Sequence, residues 1–180
     1  MTMKYYKKDK IIDKTSWNEF IENCIEMSFS HADILCESPL EEKVVKSLII
    51  GLNKGQYSTI IPPADMFTTK IEYATKIQKT TFQMFENMDF WIFPNLPYED
   101  GKIRPDITIV DRRKRKHIIT LIECDSFKYH STPEQLEKEK IRERKLMKLG
   151  YPILRFSGRE ITRTPSKVAE EIIKFVLKLK

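Results

Sequence analysis

The chain has 180 residues, 41% hydrophobic and 32% charged, with only 5 glycines and 9 prolines; this excludes collagen-like, low-complexity and wholly disordered chains and fits one globular domain. Lysine and arginine number 32 against 26 aspartates and glutamates, a formal charge of +6, and basic clusters at 4–10, 112–116 and 138–148 suit a polyanionic partner. Cys24, Cys36 and Cys124 form no C-x-x-C pair, which excludes a disulfide framework and a zinc knuckle. No apolar run approaches the ~20 residues of a membrane-spanning helix, and residues 1–14 lack an apolar signal-peptide core, so a cytoplasmic protein is expected.

In chain order, Ser16 caps a predicted helix over 16–27, with Glu19 at N3 and Trp17, Phe20, Ile21, Cys24 and Met27 on one face. Ser38-Pro39-Leu40-Glu41 is a second capping box with proline at N1. Val44, Val45, Leu48, Ile49 and Leu52 follow at helical spacing, and Gly51 or Gly55 closes the helix. Residues 57–61 read as a short strand stopped by Pro62-Pro63, and 69–88 as a helix in an insertion. From Asp89 the period shortens: 90–93, 106–111 and 117–125 read as three strands of an antiparallel meander, with turns at 99–102 and 112–116. Thr132-Pro133-Glu134-Gln135 opens a highly charged helix to about Leu149, with Gly150 as its C′ residue. Residues 151–157 return as a strand, and Thr164-Pro165 opens a last helix with Val168, Ile172, Phe175, Val176 and Leu179 on one face.

Candidate chemistry gathers on the meander. In Ile122-Glu123-Cys124-Asp125 alternate side chains face opposite ways, so Glu123 and Asp125 share a face ~6–7 Å apart. Arg104-Pro105-Asp106 puts another acid at the entrance of the neighbouring strand. Read singly, each acid is a solvated strand end; together, three carboxylates on one sheet edge repel unless a cation lies between them, and hard oxygen ligands favour Mg²⁺ or Mn²⁺. Glu41 is a fourth acid, near the middle of the apolar stripe of its helix. It serves either as the N3 acid of the capping box or as a site residue, and the two roles can coexist.

Arg104-Pro105-Asp106, Ile122-Glu123-Cys124-Asp125, Tyr129-His130, Gln135 and Leu154-Arg155-Phe156, preceded by Ser38-Pro39-Leu40-Glu41, resemble the PD-(D/E)XK nuclease superfamily. Within it they resemble the branch of very-short-patch-repair-type endonucleases, over roughly residue 38 to the C-terminus. The resemblance implies an α/β fold with a restriction-endonuclease-like core: an αβββαβ mixed central sheet flanked by helices. Residues 1–180 would form a single nuclease-like domain, with 1–35 a helical extension and 62–89 a helical insertion. It further implies phosphodiester hydrolysis with Mg²⁺ or Mn²⁺ as cofactor, held by Asp106, Glu123 and the Cys124 carbonyl, with Glu41 reaching the metal through water or orienting the core.

The chain departs from that pattern at one position. The superfamily's lysine two residues after the glutamate is replaced by Asp125, which cannot place positive charge beside a phosphate but can bind a second cation. His130 is the first candidate to compensate, as base or phosphate donor, or else it is structural. Gln135 either completes the Thr132 box or, with Glu139 and Arg142 on one helix face, looks into the site. For nucleic-acid contact the candidates are the turn Arg112, Arg113, Lys114, Arg115 and Lys116, together with Arg142 and Arg155; that turn is equally read as a solvated hairpin. The expected function is a metal-dependent endonuclease acting on DNA rather than RNA, in repair, restriction, defence or a mobile element. The rival readings are a catalytically inactive nucleic-acid-binding module, or a subunit whose partner, a second copy or another protein, supplies target recognition.

Overall fold

The computed structural model describes residues 14–62, 88–98, 103–113, 117–125 and 133–179. The predicted helix over 69–88 and the turns at 99–102 and 114–116 lie outside them, apart from Met88, which is buried and not helical. The described elements are α1 (Lys14–Leu35), α2 (Pro39–Lys54), β1 (Thr59–Ile60), β2 (Phe90–Pro94), β3 (Ile107–Asp111), β4 (Ile118–Asp125), α3 (Pro133–Lys148), β5 (Ile153–Ser157), α4 (Gly158–Arg163) and α5 (Pro165–Lys178). The strands form one mixed sheet in the order β1-β2-β3-β4-β5. β2, β3 and β4 are the antiparallel meander, and β1 and β5 add to its edges in parallel. Helices cover both faces, which is the α/β architecture expected of the sequence.

Helix α2 forms where its signals converge. The Ser38 hydroxyl accepts the Glu41 amide at 3.3 Å, Pro39 stands in the first turn, and Gly55 is the C-cap. Its buried face of Val44, Val45, Leu48, Ile49 and Leu52 packs on the buried Val168, Ala169, Ile172 and Val176 of α5 and on Phe90, Ile92, Ile107, Ile109 and Ile122 of the sheet. Each fully buried leucine or isoleucine there contributes ~1.5–3 kcal/mol. Gly51 does not end the helix. A Cβ at that position would lie 2.7 Å from Ile173 Cδ1, so the glycine lets α5 approach α2 closely.

Two elements differ from the sequence reading. Helix α1 begins before Ser16 and runs eight residues past Met27, because Cys24, Ser28 and Ala32 continue one small buried face at four-residue spacing. The Ser28 hydroxyl takes the Ile61 amide at 3.0 Å, so a polar-looking stretch is held against the end of β1. Helix α4 has no counterpart in the reading, yet Ser157 and Glu160 make a reciprocal capping box at its start. On the sheet face opposite α2, α3 is anchored by Leu146, which packs with Ile103 and Leu121. Gly150, at φ +72°, takes the left-handed turn that ends α3. Among the described residues no helix is long and apolar enough to cross a membrane.

Candidate active site

The site follows from strand register. Ile107 pairs with Ile122 in the antiparallel β3–β4 ladder; one step further along, Asp106 stands opposite Glu123 on the same face. Ile122 and Cys124 turn to the α2 core, so Glu123 must face α3. Each acid is fixed by the other strand's backbone. The Cys124 amide donates to Asp106 Oδ2 at 2.6 Å, and the Asp106 amide donates to Glu123 Oε1 at 3.3 Å. Glu123 is fully buried and Asp106 partly exposed.

Arg142 of α3 closes the pair. Its guanidinium donates to Glu123 Oε2, to Asp106 Oδ1 at 3.1 Å and to the Arg104 carbonyl at 3.1 Å. Leu146, one turn further along α3, is buried and sets the height of Arg142 over the acids. Desolvation raises the pKa of both carboxyls, most for Glu123, which also feels the charge of Asp106; Arg142 opposes the shift in each. With both carboxyls ionised, the pair carries one more negative charge than one guanidinium neutralises, which the raised pKa values reflect.

Glu41, a third acid beside this pair, is 6% exposed at the start of α2. It bonds Ser38 Oγ at 2.8 Å, but its other oxygen accepts the Glu37 amide at 2.9 Å, one residue beyond a standard capping box. The same oxygen accepts Asn95 Nδ2 at 2.9 Å, and the Asn95 amide donates to the Asp106 carbonyl at 2.9 Å. Asn95 therefore ties Glu41 to Asp106, in a left-handed conformation (φ +52°) that asparagine tolerates. Sequence reasoning missed Asn95; its signal is an asparagine directly after a strand and two residues before Pro97. A cleft of about 500 Å³ joins these groups, with Glu41, Asn95 and Asp106 on one wall and Lys138, Arg142 and Lys145 of α3 on the other. The i, i+4, i+7 spacing of those three cations carries Lys145 into a row that the sequence reading did not name.

Other expected residues are placed elsewhere. Asp125 shares the Glu123 face but is taken by Arg155, at 2.7 and 3.1 Å, because Arg155 stands in register with Glu123 on the adjacent strand β5. The expected gathering of three carboxylates is therefore not formed: among the described residues no group of three or more acidic, histidine or cysteine side chains is clustered to hold a metal. Arg112 and Arg113 lie just beyond the far end of β3, whose last residue, Asp111, is ~17 Å along the strand from Asp106. Arg112 stacks on Trp91 at 3.8 Å, and Arg113 chelates the buried Asp111 at 2.9 and 2.7 Å. Lys114, Arg115, Lys116 and His130 lie outside the described residues, and Gln135 is on α3, seven residues before Arg142. Burial pushes the Cys24 and Cys36 thiols up to about 12 and Cys124 higher, which disfavours the thiolate form of all three at neutral pH.

The donor set fits a hard divalent cation. Mg²⁺ is commonly held by one or two carboxylates with water completing the octahedron, and Asp106 and Glu123 already converge on a single positive group. No curated protein and no solved structure gives a significant match to the chain. One family model does match, over residues 79–176, a span that contains β2 to β5, both interlocked acids and Arg142. Because that span covers more than half of the chain, the protein belongs to the restriction endonuclease-like family REase_MTES_1575, a family of nucleases.

Proposed function

We propose that the protein is a divalent-metal-dependent endonuclease acting on DNA, a single-domain enzyme resembling the very-short-patch-repair-type branch. The observation that carries this reading is the interlocked pair Asp106 and Glu123, of which Asp106 lines a cleft bordered by the cations Lys138, Arg142 and Lys145. Asp106, Glu123 and the Cys124 carbonyl hold Mg²⁺ or Mn²⁺, which supplies Lewis acidity at the phosphate. Asn95 keeps Glu41 directed at the Asp106 side of the cleft, where the glutamate orders water. Lys138 and Lys145 take flanking phosphates, ~10 Å apart along α3, a contact that sets affinity without reading sequence. His130 is the proposed base or phosphate donor, and Gln135 assists at the site. Asp125 and Arg155 brace the β4–β5 edge of the site.

The test is incubation with supercoiled plasmid at low salt, with Mg²⁺, with Mn²⁺ and with chelator, alongside Glu123→Ala. Nicked or linear product that needs both metal and Glu123 is expected. A second reading, a catalytically inactive nucleic-acid-binding module or a subunit that needs a partner, draws on Arg142 occupying the acids and on Asp125 standing in place of a lysine. Duplex binding without metal-dependent product, in the wild type, would replace the first reading by the second.

A further inference from the structure

Three arginines border the acidic end of the sheet, and they are engaged differently. Arg155 is forked onto Asp125 with Glu143 3.7 Å away, and Arg104 is paired with Glu37 at 2.6 Å, all of them partly exposed acids. Arg142 instead bridges Asp106 and Glu123, the two acids that bind the cation in the reading above. When both acids are ionised, two carboxylates and one guanidinium sum to one negative charge. With a divalent cation the same groups sum to one positive charge, which a phosphodiester cancels. Without Arg142 a cation-loaded site would be neutral and the phosphodiester charge would stand unpaired in a partly desolvated cleft.

We propose that Arg142 is a charge-exchange residue: it holds Asp106 and Glu123 in the metal-free protein and turns to a substrate phosphate when a divalent cation binds the acids. The inference rests on the nuclease reading for the identity of the phosphate, but not for the exchange itself. Geometry permits the movement. The side chain is 44% exposed toward the cleft, whereas its backbone is fixed by the buried Leu146 one turn away. The guanidinium fork suits both ends of the exchange, since carboxylate and phosphate oxygens present the same acceptor pattern.

The test has two readouts that need no cleavage. The first is Mn²⁺ affinity of the full chain without nucleic acid. Arg142→Gln removes a competing cation, so Mn²⁺ should bind roughly tenfold tighter or more. The second is duplex binding against salt, in Ca²⁺ and in chelator. In Ca²⁺ the variant should bind more weakly, with a salt slope reduced by about one; in chelator, where Arg142 is held by the acids, the slope should be unchanged. Equal or weaker Mn²⁺ affinity overturns the proposal, as does a salt slope altered equally in both conditions or in neither. Should the Gln variant not fold, Arg142→Lys carries the test. It keeps the charge but loses the fork, so Mn²⁺ should bind several-fold tighter while the Ca²⁺ slope stays at the wild-type value; unchanged Mn²⁺ affinity overturns the proposal. Plasmid cleavage by the wild type is scored separately, so a protein that exchanges Arg142 but never cuts DNA fails the nuclease reading alone.

Discussion

An arginine-engaged carboxylate stands at each end of strand β3, Asp111 within it and Asp106 just before it, and the two ends differ in how the charge is closed. At the far end Asp111, with no solvent exposure, accepts the Arg113 amide at 3.0 Å and both arms of the same residue's guanidinium. That guanidinium lies over the rings of Phe90 and Tyr57, at 4.7 and 5.0 Å, and the pair is complete within three residues of chain. At the near end one guanidinium serves two acids from two strands, is held by a separate helix, and borders an open cleft. Burial of an ion pair alone does not mark a site. Incomplete neutralisation with a route to solvent does.

The largest effect expected from testing this contrast is at the near end. Glu123→Ala should lower metal-dependent cleavage by ~10³-fold or more, with the circular dichroism spectrum unchanged. A folded variant with wild-type cleavage would remove the distinction between the ends. Next is Arg113→Ala, which leaves Asp111 buried and uncompensated and should cost about 3 kcal/mol in denaturant unfolding, while cleavage per folded molecule is retained. The third expectation concerns pH. Glu123 has a folded pKa raised from its ordinary 4.5 to about 7, so in that interval the native state holds the proton and the unfolded chain does not. Stability of the metal-free protein should therefore fall as pH rises from 4.5 to 7, by about 2 kcal/mol. Thermal melts should lose this slope in Glu123→Gln and in saturating Mg²⁺. The smallest effect is at Arg155→Met, which breaks a partly exposed pair and should shift stability by less than ~1 kcal/mol.

The same contrast explains what the sequence revealed. Helix α2 was legible because cap and apolar period agreed, the meander from residue alternation, α3 from its proline start and Gly150 stop, and α5 from its proline start and apolar face. The opposed placement of Asp106 and Glu123 followed from alternation along two strands and needed only the register to be complete. Arg142 was legible as a member of a helix face but not as the partner of both acids, because that contact depends on how α3 lies across the sheet. Asn95 was illegible for a related reason, since its two ties run 60 residues back to the Leu35 carbonyl and 54 back to Glu41. Clustered positive charge in the basic turn did not reveal that Arg112 and Arg113 are turned onto rings and onto Asp111; Lys114, Arg115 and Lys116 lie outside the described residues. The eight-residue extension of α1 was missed because Ser28 and Ala32 bury without being conspicuously apolar.

Strand β4 turns Glu123 to the α3 side, where Arg142 covers it, and on its reverse side turns Ile122 and Cys124 to the α2 core. The Cys124 amide also positions Asp106. In a random mutagenesis screen for lost cleavage, the reverse side of this strand would therefore yield hits as readily as the front. Substitutions at Ile122 and Cys124 would lower soluble yield together with activity, whereas those at Glu123 would separate the two. A map of inactivating positions drawn without a parallel measure of soluble protein would trace the wall between core and cleft and mistake both of its sides for catalytic machinery.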